Sequence, residues 1–237
     1  MKKKLFLPLL SMLLSAISAP SYPTVTTDRT RVVFNADSQA VALGIENTDK
    51  KKPYLAQIWL EDEQHHKLKD IIPLIAVPPV IRMEPGSKNR VRINKTAQVA
   101  ALPTNRETLF YLNVRGIPPK HAENNSLQVA LQTSLKVFYR PESIKLKWGE
   151  FVGDRLILKK TKTANEIVLN NPTPYYFTVA GMSLQKNDKN QDNFETFMIA
   201  PYSQKTLKRS DNAGVKSYWF TLINDFGARN QLEIPLI

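Results

Sequence analysis

The sequence predicts an all-β protein of two immunoglobulin-like β-sandwich domains, and three observations carry that prediction. Runs rich in β-branched and aromatic residues recur along the chain with partial alternation. Clusters of Pro, Gly, Asn and Asp separate them, and no stretch sustains a 3.6-residue apolar period. The chain has 237 residues, 42% of them hydrophobic, which is enough for two compact domains of about 100 residues each. Length alone leaves a single large β domain open.

The first 21 residues stand apart. Lys2, Lys3 and Lys4 form a positive start, Leu5 to Ile17 an apolar stretch, and Ala16, Ser18, Ala19 and Ser21 a run of small residues. This is the pattern of a secretory signal peptide. Cleavage is expected after Ser18 or Ser21, because a cut after Ala19 would leave Pro20 beside it. The apolar stretch is short for a bilayer span of about 20 residues. No later segment is apolar enough to span, so no stable membrane insertion is expected.

The first domain is expected over 22–142. Its strand-like runs are Val25–Phe34, Ala40–Glu46, Tyr54–Glu61, Arg90–Asn94, Thr108–Arg115 and Leu127–Tyr139. Turn signals lie between them at Asn47–Pro53, Pro78-Pro79, Glu84–Ser87, Pro118-Pro119 and Glu123–Asn125. About seven strands at this spacing make an immunoglobulin-like sandwich. The last run is the most regular: Leu127, Val129, Leu131, Thr133 and Leu135 alternate, with Lys136 and Arg140 close behind. Such a strand can seal its own core or be lent to another protein.

A charged, irregular stretch from Glu142 to Gly149 follows, and a hinge is expected at 143–147. The second domain, 148–237, resumes with Arg155–Lys159, Glu166–Leu169, Tyr175–Met182, Phe194–Ile199, Ser217–Ile223 and Gln231–Leu236. Gln185–Asn193 reads as an exposed polar loop.

The formal net charge is +12, and loss of the three leader lysines leaves the chain basic. That balance favours acidic surfaces, and export argues against nucleic acid. With no cysteine, an exported protein must rely on its cores alone. Enzyme motifs are missing: there is no Gly-x-Ser-x-Gly elbow, no His-Glu-x-x-His and no cysteine nucleophile. His65 and His66 are neighbours, which on a strand would point to opposite faces and chelate one ion poorly. No cofactor, metal site or enzyme activity is expected.

Four segments stand out together: Asp28–Phe34, Phe110–Pro119, Lys136–Pro141 and Asn171–Tyr176. Pro78–Gly86 and Ile223–Gly227 extend the set. In order and over essentially the whole chain after the leader, they resemble the signature segments of the periplasmic pilus chaperones, the PapD-like family. The resemblance implies two sandwiches set in an L with a cleft between them. It also implies an ATP-independent periplasmic chaperone that binds pilin (fimbrial) subunits and delivers them to an outer-membrane usher. PapD is a known case of the sandwich architecture, and complementation of pilins by their chaperone a known case of strand addition.

By the same resemblance, Leu127, Val129 and Leu131 are the donor row that fills the subunit's open groove. Arg31 and Lys136 are the cations that anchor the subunit's C-terminal carboxylate, and Glu107, Arg140 and Asp225 a charge network between the domains. An anchored chain end would fix register, since a slip of one residue turns every donor to the wrong face. One difficulty is parity. Lys136 is even-numbered while the donor row is odd, so a twist or a bulge near Thr133-Ser134 would be needed to bring both to one face. The short connection from Pro119 to Leu127 resembles the subgroup serving rod-like pili. Some family members carry a disulfide in the second domain, which this sequence lacks.

Other readings are a secreted carbohydrate-binding adhesin or lectin module, and a structural pilus component. The latter needs a donor extension for which the stretch before the first strand is too short. An exposed apolar edge also invites self-pairing, so a self-capping dimer is expected as an option for the free protein.

Overall fold

The computed structural model describes residues 24–120, 128–163, 165–188, 190, 194–209 and 214–237. The expected leader, the Glu123–Asn125 turn, His121 and Leu127 lie outside the described residues, as do Lys189 and 191–193 of the expected polar loop.

In the first half the strands are β1 (Val25–Thr27), β2 (Arg31–Asn35), β3 (Ala40–Asn47), β4 (Tyr54–Glu61), β5 (Leu74–Val77), β6 (Val80–Met83), β7 (Lys88–Lys95), β8 (Thr108–Ile117) and β9 (Leu131–Arg140). They form two facing sheets, ordered β1-β3-β7-β5 and β2-β9-β8-β4-β6. Phe34, Leu43, Ile58, Leu112 and Val137 fill the space between them. Each such side chain contributes roughly 1.5–3 kcal/mol on burial.

The expected strand Val25–Phe34 is two strands on different sheets. β1 pairs antiparallel with β3, whereas β2 pairs parallel with β9. Between them the Asp28 N–H donates to the Gly44 carbonyl at 3.0 Å. Gly44 lets the two segments approach closely there, since a Cβ would stand 2.8 Å from the Asp28 carboxylate and push it aside. Pro78-Pro79, expected as a simple turn, marks a second crossing between sheets: β5 and β6 flank a cis Val77–Pro78 bond. Both strands are four residues long, too short for alternation to reveal.

The second half carries β10 (Ile157–Lys160), β11 (Glu166–Asn171), β12 (Phe177–Ser183), β13 (Phe197–Ile199), β14 (Ser203–Lys208), β15 (Ser217–Ile223) and β16 (Arg229–Pro235). Its sheets are ordered β10-β11-β14 and β13-β12-β15-β16, closing over Leu158, Leu169, Val179, Tyr218 and Phe220. β14 was not expected. Its sequence, Ser-Gln-Lys-Thr-Leu-Lys, buries only Leu207, so it carries almost no apolar signal. Helix is confined, among the described residues, to short 3-10 turns such as Ala97–Ala101.

Candidate functional site

The most regular strand of the sequence starts later than expected. β9 begins at Leu131; Val129 precedes it in irregular chain, and Leu127 lies outside the described residues. From Leu131 to Tyr139 β9 pairs with β8 without interruption, Gly116 opposite Leu131 and Thr108 opposite Tyr139. On its other side it meets β2 only from Lys136 to Arg140. Among the described residues, the stretch Leu131–Leu135 therefore has a free edge. Unpaired backbone groups on such an edge are a ready template for another strand.

Burial along β9 follows from what covers each face. Leu135, Val137 and Tyr139 point into the first core and are buried. Leu131 continues the same row but is 44% exposed, and Val129 before it is 61% exposed. The row runs out beyond the edge of its own sandwich. Phe138 and Arg140, on the opposite face, are buried as well, because the second half lies against them.

The register also answers the parity question. There is no bulge near Thr133-Ser134, so Lys136 and Leu131 do face opposite sides of the sheet. Lys136 shares its face with Phe138 and Arg140, toward the second domain. The lysine needs no kink to reach the cleft.

Arg31 stands directly opposite Lys136 in the parallel β2–β9 ladder, so both side chains leave the sheet on one face. Arg31 is buried and donates from Nη1 to the Ile223 carbonyl at 3.2 Å, while its Nε has no partner. Among the described residues no carboxylate lies within ion-pair distance of either cation. Burial lowers the pKa of both groups; Asp225 pulls Arg31 back up, and Arg31 lowers Lys136 further. Two like charges held side by side and partly desolvated, with no carboxylate within ion-pair distance among the described residues, can attract an anion.

Arg140 ties the halves together. Its Nε donates to Glu107 Oε1 at 2.8 Å, and its Nη1 and Nη2 reach the two oxygens of Asp225 at 2.9 and 3.2 Å. Arg140 also lies 5.2 Å over the Tyr175 ring. Glu107 Oε2 accepts the Tyr176 N–H at 2.8 Å, and the Glu107 N–H donates to the Pro174 carbonyl at 2.9 Å. Burial pushes the Glu107 carboxyl up to about 7, against the opposing pull of Arg140 and the Tyr176 N–H. Around this centre Tyr202 Oη donates to the Asn105 carbonyl at 3.1 Å, and Tyr175 Oη to the Ile144 carbonyl at 2.7 Å.

The structure thus brings Arg31 to Lys136 and joins Glu107, Arg140 and Asp225. The run Asn171–Tyr176 stood out in the sequence only as one of the segments resembling the family, and no role was assigned there to its residues Pro174, Tyr175 and Tyr176. Asn171 holds that run, its Nδ2 donating to the Tyr175 and Ala200 carbonyls at 2.7 and 2.8 Å.

A two-domain immunoglobulin-like protein with a basic cleft beside an open sheet edge is the class these features define. Residues 24–145 match the pili and flagellar-assembly chaperone, PapD N-terminal domain, and residues 154–234 the pili assembly chaperone PapD, C-terminal domain. The chain is 44% identical over 209 residues to the chaperone protein PapD of Escherichia coli, covering 88% of this chain and 85% of that one. It superposes on the CupB2 chaperone of Pseudomonas aeruginosa with a TM-score of 0.71 at 31% identity, over 90% of this chain and 100% of that one. The Salmonella enterica SafB chaperone, solved in complex with the SafA pilin, gives a TM-score of 0.75 at 24% identity, over 92% and 99% of the two chains. At that identity the likeness speaks for the fold alone. The chain belongs to the PapD-like family of pilus assembly chaperones.

Proposed function

We propose that this protein is an ATP-independent periplasmic chaperone that captures pilus subunits by lending them a strand and passes them to an outer-membrane usher. The observation that carries this reading is the arrangement along one strand. Leu131–Leu135 offers an open edge with Leu131 exposed at its start and Val129 exposed just before it, and Lys136, the next residue, faces Arg31 across the parallel ladder. Val129 and Leu131, with Leu127 before them, fill a groove in the subunit, while Arg31 and Lys136 hold its terminal carboxylate and fix register. Glu107, Arg140 and Asp225 set the angle between the sandwiches. The hinge is placed at 143–147, the leader at 1–21, and the exposed edge is open to pairing with a second copy before capture.

Co-expression with candidate subunits from the same operon, followed by purification, tests the reading. The wild type should yield a one-to-one complex, and Lys136→Ala should abolish it while remaining folded. Undiminished complex with Lys136→Ala would refute the carboxylate anchor.

A further inference from the structure

Between the two sandwiches, the connecting segment holds a tryptophan out in the open. Trp148 is 93% exposed at the corner of a tight turn. The Glu150 N–H donates to the Lys147 carbonyl at 3.0 Å, and the Lys147 N–H donates to Glu150 Oε2 at 3.0 Å. Gly149 takes φ +79° there, a conformation that glycine reaches without strain. The turn is pinned from both ends, so the indole is presented from a fixed position.

Facing it is Phe226, 66% exposed, on the hairpin between β15 and β16. That turn is closed as firmly: the Gly227 N–H donates to the Asn224 carbonyl, and Asn224 Oδ1 accepts from the Phe226 and Ala228 N–H groups at 3.0 and 2.9 Å. The two rings meet edge to face, with centroids 6.0 Å apart and planes at 62°. Turn corners ordinarily carry small polar residues. Two large aromatic side chains there, both in water, serve neither sandwich core.

Both rings line the same cleft as Arg31, Val33 and Arg140, a space of roughly 460 Å³ and so within the range of about 300–1,000 Å³ that ligand pockets occupy. A chain whose carboxylate is held by Arg31 and Lys136 carries its last side chain directly beside that carboxylate. The Trp148–Phe226 pair forms an aromatic wall of the cleft that Arg31 lines. We propose that Trp148 and Phe226 clamp the side chain of the captured subunit's C-terminal residue and favour subunits ending in an aromatic residue. This assignment rests on the carboxylate-anchor reading. Its physical basis is that a third ring can add edge-to-face contacts to a pair already in place.

The test uses the full chain and synthetic strand peptides of alternating Val and Thr, ending in Tyr or Ser, each as free acid and as amide. The Tyr acid should bind roughly three- to tenfold tighter than the Ser acid and shift the Trp148 emission to the blue. Trp148→Ala should bring the Tyr acid down to the Ser acid, whereas Trp148→Phe should keep much of the preference and lose the emission change. Equal affinity of the two acids, with amidation still weakening both, would overturn the clamp and leave the anchor standing. If amidation changes nothing, the anchor reading falls and the clamp with it.

Discussion

Lys136 and Leu131 lie on one uninterrupted strand yet point to opposite faces of its sheet. That opposition divides the work of β9. The apolar row extends past the edge of its own core into the open, and the lysine turns to the opposite face beside Arg31. A single β-strand can do both because its side chains alternate.

The anchor should cost the free protein stability. Lys136 is partly buried next to Arg31, and its lowered pKa means that the native state disfavours the charged form. Lys136→Met keeps the aliphatic stem and removes the charge, so urea unfolding should show a gain, or a loss no larger than about 0.5 kcal/mol. A larger loss would assign Lys136 a structural role.

The same shift gives a pH dependence. With its native pKa below the 10.5 of the unfolded chain, Lys136 should let wild-type stability rise, relative to Lys136→Met, as pH climbs through the native value toward 10.5. Capture should move the other way and weaken over that window as the ammonium is lost. Parallel unfolding and binding series for the two proteins measure both slopes.

The donor row should tolerate charge in the free protein and fail in capture. Val129→Asp and Leu131→Asp alter exposed side chains, so their unfolding midpoints should stay within about 0.5 kcal/mol of wild type while complex yield drops. Leu135→Asp, buried at the end of the same row, should unfold the first domain. Undiminished capture by Val129→Asp would remove Val129 from the donor set.

Glu107 and Asp225 should differ sharply although both bind Arg140. Glu107→Ala leaves a guanidinium that is 5% exposed without its buried partner, which typically costs about 3–5 kcal/mol. The Asp225 side chain is 38% exposed, so water can replace it and Asp225→Ala should cost clearly less. Chemical denaturation of the two variants orders them. Its reversal would mean that Asp225, not Glu107, is the principal counter-ion.

Where the chain alternates, the sequence was legible. β3, β4, β8, β15 and most of β9 stand close to the expected runs, and Arg31 meets Lys136 in one ladder. Two kinds of feature were hidden. Strand crossings between sheets, at Asp28–Thr30 and at Val77–Pro78, are made over only a few residues, so two short strands read as one run or one turn while the pairing changes partner. Short or polar strands such as β5, β6 and β14 owe their pairing to neighbours rather than to their own residues. The parity difficulty arose from expecting anchor and donors on one face. The exposed Trp148 was lost within a charged connecting stretch, since nothing local marks an aromatic residue at a turn as different from one in a core.

Hydrogen exchange of the backbone amides from Leu131 to Leu135, with and without a captured subunit, tests strand lending most directly. The account predicts that amides on the free edge of β9 exchange readily in the uncomplexed chain and become strongly protected on capture. Exchange in that segment that does not change on complex formation would contradict it.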